Sequence, residues 1–282
     1  MEGMSAMSME EAQELLAGRD LIAIGARGDD ERRRRHGTRT TFVRVFEVHV
    51  DAVPRTFPAT AEAGEIRVIG RPHSVDAAVA AVTRALTLAA GASVTAFSLA
   101  DLVDLAAGRL PELFASLRAG GLELVAEAPI DMLQDAAGVI RMAHDAGLMV
   151  PRVTVHAGST DPAELIGRIR DLQAAVGGIR AFAPLPRTSS IAHPSTGYDD
   201  VRLVATARLL ADNIESIQVD WARYGPKLAQ VALTMGADDV DSVSALQGDL
   251  GRRRSPLEEI KGNIKAAGLE PVERDGHYKV RA

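Results

Sequence analysis

The sequence predicts an α/β fold, a (β/α)8 TIM-type barrel truncated at its first βα unit, and three observations carry that prediction. The first is the stretch Ile217 to Asp241, IQVDWARYGPKLAQVALTMGADDVD. It reads as a strand (Ile217, Val219), a turn over Trp221 to Gly225, and a helix with Leu228, Val231, Ala232 and Met235 at helical spacing; Gly236 ends the helix, and a second strand, Val240 to Val243, follows at once. Parallel strands joined by a helix build doubly wound sheets or barrels. The second observation is that such units recur until eight strands are counted. The third is length, since 282 residues suit one barrel of about 250 residues better than two small domains.

Taken in order, Met1 to Ser8 has no packing signal and reads as a mobile tail. Glu10 to Leu16 begins a helix, Gly18 breaks it, and Asp20 caps the next one. The run Asp29 to Arg35 reads as a helix end facing water, a phosphate patch at Arg32 to Arg35 being the other reading. Thr40 to Val50, TTFVRVFEVHV, is the first strand; its alternation puts Val43, Val45, Glu47 and His49 on one face. Further strands fall at Ile66 to Ile69, Val94 to Phe97, Leu122 to Ala126, Arg152 to His156 and Ile179 to Pro184. Helical patterns fill the gaps at Val75 to Ala90, Leu99 to Ala119, Met132 to Ala146, Pro162 to Val176 and Asp199 to Leu210. Ser74 and Asp161 are N-caps, and Gly91, Gly120, Gly147 and Gly177 are stops. The Pro- and Ala-rich link between the first strand and Ile66 is too short for a crossover helix with its loops, hence the truncated first unit. A last helix, Leu257 to Ala267, and a small hairpin around Asp275 and Gly276 complete the chain. The expected division is an N-terminal tail and helical segment over 1–39, a barrel over 40–250 and a C-terminal extension over 251–282.

Composition excludes several chemistries. The chain has no cysteine, which removes disulfides, cysteine nucleophiles, Cys-ligated zinc and the usual thiolate-held iron–sulfur clusters. The net charge of −6 argues against nucleic acid or an anionic membrane surface as the main partner. No apolar run approaches the roughly 18 residues of a membrane span, and no basic-then-apolar leader opens the chain, so a cytoplasmic protein without membrane insertion is expected. No GxGxxG, Walker A, GxSxG or HExxH pattern is present.

The segments GGIRAFAPL (Gly177 to Leu185), STGYDDVRLVATARLLADNI (Ser195 to Ile214), WARYGPKLAQVAL with MGADDVDS, and AAGLEPVERDGHY (Ala266 to Tyr278) together resemble the radical SAM enzymes of the menaquinone futalosine route. These are aminofutalosine synthase and dehypoxanthine futalosine cyclase, with the FO synthase subunits as relatives. RRRRHGTRTTFV (Arg32 to Val43) resembles that family's approach to its first barrel strand. The resemblance implies a CxxxCxxC loop after the first strand, holding a 4Fe–4S cluster that grips S-adenosylmethionine. Here that place reads HVDAVPRTFPATAEAGE. No cofactor is therefore expected: the cluster is absent, and S-adenosylmethionine binding is left open. The relatives' glycine pair after the second strand, which approaches the methionine amine of the cofactor, is here Gly70 and Arg71. The acidic residue of their nucleoside site, after the fourth strand, falls on Asp131 or Glu127. Where they carry Tyr-Gly-His this chain has HAGS, His156 to Ser159, with Gly158 standing at the family histidine.

A barrel binds ligands at the C-terminal ends of its strands, which gathers Glu47, His49, Asp51, Arg71, His73, Ser98, Glu127, Asp131, His156, Ser159, Arg187, His193, Asp220, Trp221 and Asp241. His156 with Glu127 or Asp131 forms an acid–base pair if the groups meet within hydrogen-bond reach, or a structural hydrogen bond. Arg71, His73 and Arg187 suit a carboxylate or phosphate, or simply rim ion pairs. Glu47, His49, Ser159 and Asp220 are further candidate contacts to a substrate, and Trp221 either stacks on a base or packs in the core. A metal at Glu47, His49 and Asp51 is considered and not adopted. Two functional readings follow. In the first, a cluster-less pseudoenzyme serves as a non-catalytic partner, carrier or regulator in menaquinone or related cofactor biosynthesis, with a small nucleoside-like or carboxylate ligand or another protein of the pathway as partner. In the second, the barrel does polar hydrolase, lyase or isomerase chemistry on a futalosine-like or chorismate-derived compound through His156, Glu127 and Asp131.

Overall fold

A computed structural model describes residues 7–58, 62–188, 196–246 and 255–281; His193 and most of the N-terminal tail lie outside them. Strands β1 (Arg39–His49), β2 (Glu65–Ile69), β3 (Ser93–Ser98), β4 (Leu124–Pro129), β5 (Arg152–Thr154), β6 (Ala181–Ala183), β7 (Ser216–Asp220) and β8 (Asp239–Ser244) follow one another in parallel register. β1 pairs with both β2 and β8, which closes the barrel. The helices are α1 (Met9–Ala17), α2 (Leu21–His36), α3 (Val75–Leu88), α4 (Leu99–Ala106), α5 (Leu110–Ala119), α6 (Ala136–Asp145), α7 (Pro162–Val176), α8 (Gly197–Leu210), α9 (Trp221–Leu233) and α10 (Pro256–Ala266). The first unit is truncated as the link length requires: among the described residues, β1 and β2 are joined through one 3-10 turn, Val50–Ala52, with no α-helix.

Alternation along the strands separates two layers. Ile66, Val68, Val94, Ala96, Val153, Val155, Ile217 and Val219 point outward and join the helices in the main apolar cluster. The residues between them, Glu65, Arg67, Thr95, Arg152, Thr154 and Gln218, are also buried and fill the barrel interior, where branched aliphatic layers are the usual filling.

Three segments differ from the sequence reading. The stretch from Leu99 to Ala119 is two helices, because Ala107 (φ 46°) and Gly108 (φ 89°) are left-handed and Pro111 belongs in the first turn of a new helix. Trp221 to Gly225 is not a turn but the first part of α9, capped by the Asp220 carboxylate on the Arg223 N–H at 3.0 Å and interrupted only at Gly225 (φ 76°) before Pro226. The C-terminal arm is more than a hairpin. Glu270–Glu273 is a ninth strand, β9, parallel to the first residues of β1. One antiparallel bridge, Arg274 to Val280, is what remains of the hairpin around Asp275 and Gly276.

The arginine run of α2 meets its expectation of a water-facing end only in part, at Arg33 and Arg34. Arg32 is fully buried and bonds Asp29 at 2.9 Å and the Gly37 carbonyl at 3.2 Å. Arg34 and Arg35 share Glu31, whose carboxyl their hydrogen bonds pull down to about 2, Arg34 most. Spacing explains it: each guanidinium lies one helical turn beyond a carboxylate; Arg32 and Arg35 lie on the covered side of the helix, which packs on α8, while Arg33 and Arg34 stay exposed. A Cβ on Gly28 would stand 3.2 Å from the Ala205 Cβ of α8 and 2.3 Å from the Met235 carbonyl oxygen in the turn after α9.

His36 ends this helix with its side chain 11% exposed, 3.4 Å from Asp238 and 3.1 Å from the Glu215 carbonyl oxygen. Burial, aided by the Arg208 charge, lowers its pKa from 6.5 to about 4. The folded chain thus keeps the imidazole neutral where the unfolded chain protonates it. The resulting stability is complete above the unfolded value and is lost as pH falls from there toward the folded one, up to about 3 kcal/mol. Thermal denaturation across that acidic window should show a falling Tm for the natural chain and a flatter profile for His36→Gln; parallel profiles would rule the imidazole out as the source.

Candidate functional site

Charged side chains form a ladder through the barrel. At the bottom, Arg274, from the turn after β9, donates twice to Asp239 at 2.6 Å and lies 3.9 Å over the Tyr278 ring. Tyr278 takes a bond from Gln218 at 3.2 Å, and burial pushes its hydroxyl up to about 12. In the middle, Asp241 receives Arg67 at 2.8 and 3.0 Å and Arg152 in a closer contact. Burial alone would raise the Asp241 carboxyl, but Arg152 and Arg67 outweigh it and hold it well below the usual range. Arg67 also bonds Glu65 at 2.7 Å, which Thr95 donates to at 2.6 Å. Ser242 is left-handed at φ 58°, which breaks the alternation of β8 and brings its hydroxyl beside Asp241 onto Arg67 at 3.1 Å.

The top rung opens to the barrel mouth. Arg187, in the loop after β6, has its Nε 3.0 Å from Glu127 Oε2 and its Nη2 3.7 Å from Asp220. Neither approach is aligned as a hydrogen bond, and Glu127 Oε2 is buried without a hydrogen-bond partner. Burial lowers the Arg187 pKa against the pull of Glu127. The loop is fixed from outside by the first turn of α9, whose Arg223 and Tyr224 donate to the Arg187 and Pro186 carbonyls.

Of the residues singled out from sequence, Glu127, Arg187 and Asp220 are brought together. His156 and Asp131 sit on adjoining strand ends, but the Asp131 carboxylate accepts the backbone N–H groups of His156 and Ala157, each at 2.7 Å, rather than the imidazole. Arg71 pairs with Asp104 at 3.2 Å on the exposed rim. His49 and His73 flank Asp51 at 3.6 and 3.8 Å, and Glu47 is exposed on the same strand. Ser159 exchanges hydrogen bonds with the backbone of Asp161 and lines a cavity of about 790 Å³ whose walls share no residue with the Glu127, Arg187 and Asp220 group. Trp221 is 8% exposed and belongs to the core. Among the described residues, no group of three His, Asp or Glu side chains is placed to hold a metal ion, and no helix is long and apolar enough to cross a membrane.

Sequence reasoning missed Glu65, Arg67, Arg152 and Asp101. The first two were legible: in EIRVI the charges alternate with Ile66 and Val68, and a parallel barrel strand is buried on both faces, so the charged face has to point inward. Asp101, in the first turn of α4, is half-buried; burial raises its pKa, with Arg71, Glu127 and His156 in its electrostatic surroundings. No spacing rule marks it.

Residues 181–282 match the CofH/MqnC C-terminal region. An aminodeoxyfutalosine synthase of Streptomyces coelicolor is 28% identical over 172 residues, 52% of this chain and 44% of the enzyme. Over the matched residues the chain is similar to the futalosine-pathway and FO synthase radical SAM enzymes, and it has no cysteine. A 5-amino-6-(D-ribitylamino)uracil–L-tyrosine 4-hydroxyphenyl transferase of Methanosarcina barkeri is 33% identical over 50% of this chain and 43% of its own length. An aminodeoxyfutalosine synthase of Thermus thermophilus is 37% identical over 40% of this chain and 34% of its own. The chain thus spans less than half the length of these relatives. In fold it is similar to methylornithine synthase (PylB), with a TM-score of 0.65 at 12% identity over 95% of both chains. It is also similar to HydG, a maturase of the FeFe-hydrogenase, with a TM-score of 0.63 at 14% identity over 95% of this chain and 72% of that one. Set against the family's cofactors, the residues here do not fit the cluster. The link from β1 to β2 offers His49 and Asp51 and no thiol, and the soft thiolates that iron–sulfur clusters take have no counterpart in that donor set.

Two substitutions separate structural from ligand roles. Arg67→Met leaves Glu65 and Asp241 without their main partner and should cost about 3–5 kcal/mol in urea unfolding; a loss within 1 kcal/mol would mean that the ladder tolerates a gap. Asp131→Ala should cost about 1–3 kcal/mol and speed amide exchange at His156 and Ala157, and unchanged exchange there would remove its anchoring role.

Proposed function

We propose that this chain is a cluster-less binding protein of the family, a non-catalytic carrier or regulator in menaquinone or related cofactor biosynthesis that takes a small nucleoside-like or carboxylate ligand at the barrel mouth. The observation that carries the reading is the pairing of two facts: the thiol donors are gone from the whole chain, while the mouth keeps a largely buried guanidinium facing two carboxylates, one of which, Glu127, has its Oε2 buried without a hydrogen-bond partner. Buried polar groups left without partners are costly, and a ligand carboxylate on Arg187 with a hydroxyl or amine on Glu127 would satisfy both. A guanidinium gives a carboxylate two parallel hydrogen bonds, which favours an acid or a phosphate there over a neutral compound.

Asp101 favours a second reading, polar acid–base catalysis in the same mouth. A carboxyl whose pKa is raised by burial beside a second carboxyl is the usual setting of a general acid. In that case Asp101→Asn abolishes turnover of a bound compound and leaves its binding intact.

The test is a calorimetric and thermal-shift panel of S-adenosylmethionine, aminofutalosine, dehypoxanthine futalosine and chorismate-derived enol ethers on the purified chain. One carboxylate-bearing compound should stabilise the fold, and Arg187→Met should weaken it at least about tenfold. Binding indifferent to Arg187, or silence across the panel, would sink the ligand assignment; robust turnover by the chain alone would sink the non-catalytic one.

A further inference from the structure

We infer that the chain's own His49 imidazole fills the side of the mouth between β1 and β2, so that S-adenosylmethionine is not taken there as the family's architecture implies. This rests on the reading of the mouth as the ligand site and adds which part of it is closed. Gly70, directly after β2, is left-handed at φ 90°. It is also bare: with no side chain, it offers its backbone to whatever lies above it. What lies above it is His49. The Nε2, Cδ2 and Cε1 atoms of the ring stand 2.5, 2.9 and 2.9 Å from the point a Cβ on Gly70 would occupy. The ring therefore covers the glycine, and a ligand touching that backbone would overlap the imidazole.

The placement follows from the truncated link. His49 is the register partner of Ile69, so its side chain falls beside the residue after Ile69. The chain then turns at once into the Val50–Ala52 3-10 turn, and His49 becomes its cap, its Nδ1 accepting the Asp51 N–H at 3.4 Å. The Asp51 carboxylate lies 3.6 Å from the same nitrogen, and its other oxygen lies 3.8 Å from His73 Nδ1. The ring is braced on one side by the turn it caps and rests on Gly70 on the other. The neighbouring position is engaged as well, since Arg71, which stands in place of the second glycine, is paired with Asp104 at 3.2 Å.

An exposed imidazole can swing aside, so the ring acts as an internal competitor, and affinity for a ligand on that side is reduced by the fraction of time the ring is out of place. Calorimetric titration of S-adenosylmethionine into the full chain and into His49→Ala reads this directly, with circular dichroism confirming that both are folded. The expected result is no saturation in the natural chain below about 1 mM and at least about a tenfold gain in the variant. Micromolar binding by the natural chain would overturn the inference, and so would a variant as silent as its parent. Failure of the ligand reading looks different: it is the absence of an Arg187-dependent compound in the panel, whatever His49→Ala does with S-adenosylmethionine.

Discussion

A single carboxylate, Asp241, held between Arg67 and Arg152 in the closed interior of the barrel, is the constraint that the surrounding architecture serves. A charge in that position is costly to desolvate and is tolerated only because guanidinium groups meet it from two other strands with aligned hydrogen bonds. Each member needs the others. Arg67 is shared with Glu65 on its own strand, and Arg152 reaches up toward Glu127 at 3.9 Å. The mouth is therefore the upper end of a continuous polar column and not an isolated patch on a greasy core. Against well-packed aliphatics such a column brings little net stability. What it adds is registration, because a strand slipped by one residue would drive its charge into the apolar layer under the helices.

The two ends of the column are treated differently. Below, the turn after β9 inserts Arg274 and Tyr278, and the Gly276 N–H donates to Ser93 at 2.6 Å, which seals that face. Above, nothing equivalent covers Glu127, Arg187 and Asp220 among the described residues, and the strand ends hold them in place from several directions. Phe97 at φ 62° and Ser242 at φ 58° are left-handed positions inside strands β3 and β8, both near the mouth. Conformations of this kind cost of order 1–3 kcal/mol each and persist where the surroundings enforce them. In β8 the return is visible as the Ser242 hydroxyl set on Arg67 beside the Asp241 carboxylate.

The strand count, the parallel order and the shortened first unit were all legible in the sequence, because short apolar runs punctuated by glycine and proline have few other solutions at this length. The carboxylate and guanidinium of the mouth, Glu127, Arg187 and Asp220, were legible for the same reason, as residues just past strand ends. Other features were not. Asp131 looked like half of an acid–base pair, yet two backbone N–H groups one strand away compete for its oxygens, and no pattern in the sequence announces that. The arginine run of α2 looked like a solvated face because periodicity records which side of a helix is apolar, not whether a charged side finds carboxylates one turn earlier. The last segment looked like an appendage since the four residues EPVE carry no strand signal of their own; their conformation is imposed by pairing with the first residues of β1.

That pairing has a consequence for how the molecule is made. β1 is needed by the last elements to appear: Thr41 bonds Asp239, 198 residues further on, and Arg44 bonds Glu273, 229 residues further on. Until those partners have been synthesised, an eleven-residue strand waits with one flank bare and Arg44 without its Glu273 carboxylate. Long-range pairings of this kind form slowly and leave a sticky edge exposed in the meantime. A growing chain therefore cannot complete the barrel by adding units one after another; its earliest strand and its latest one must find each other last.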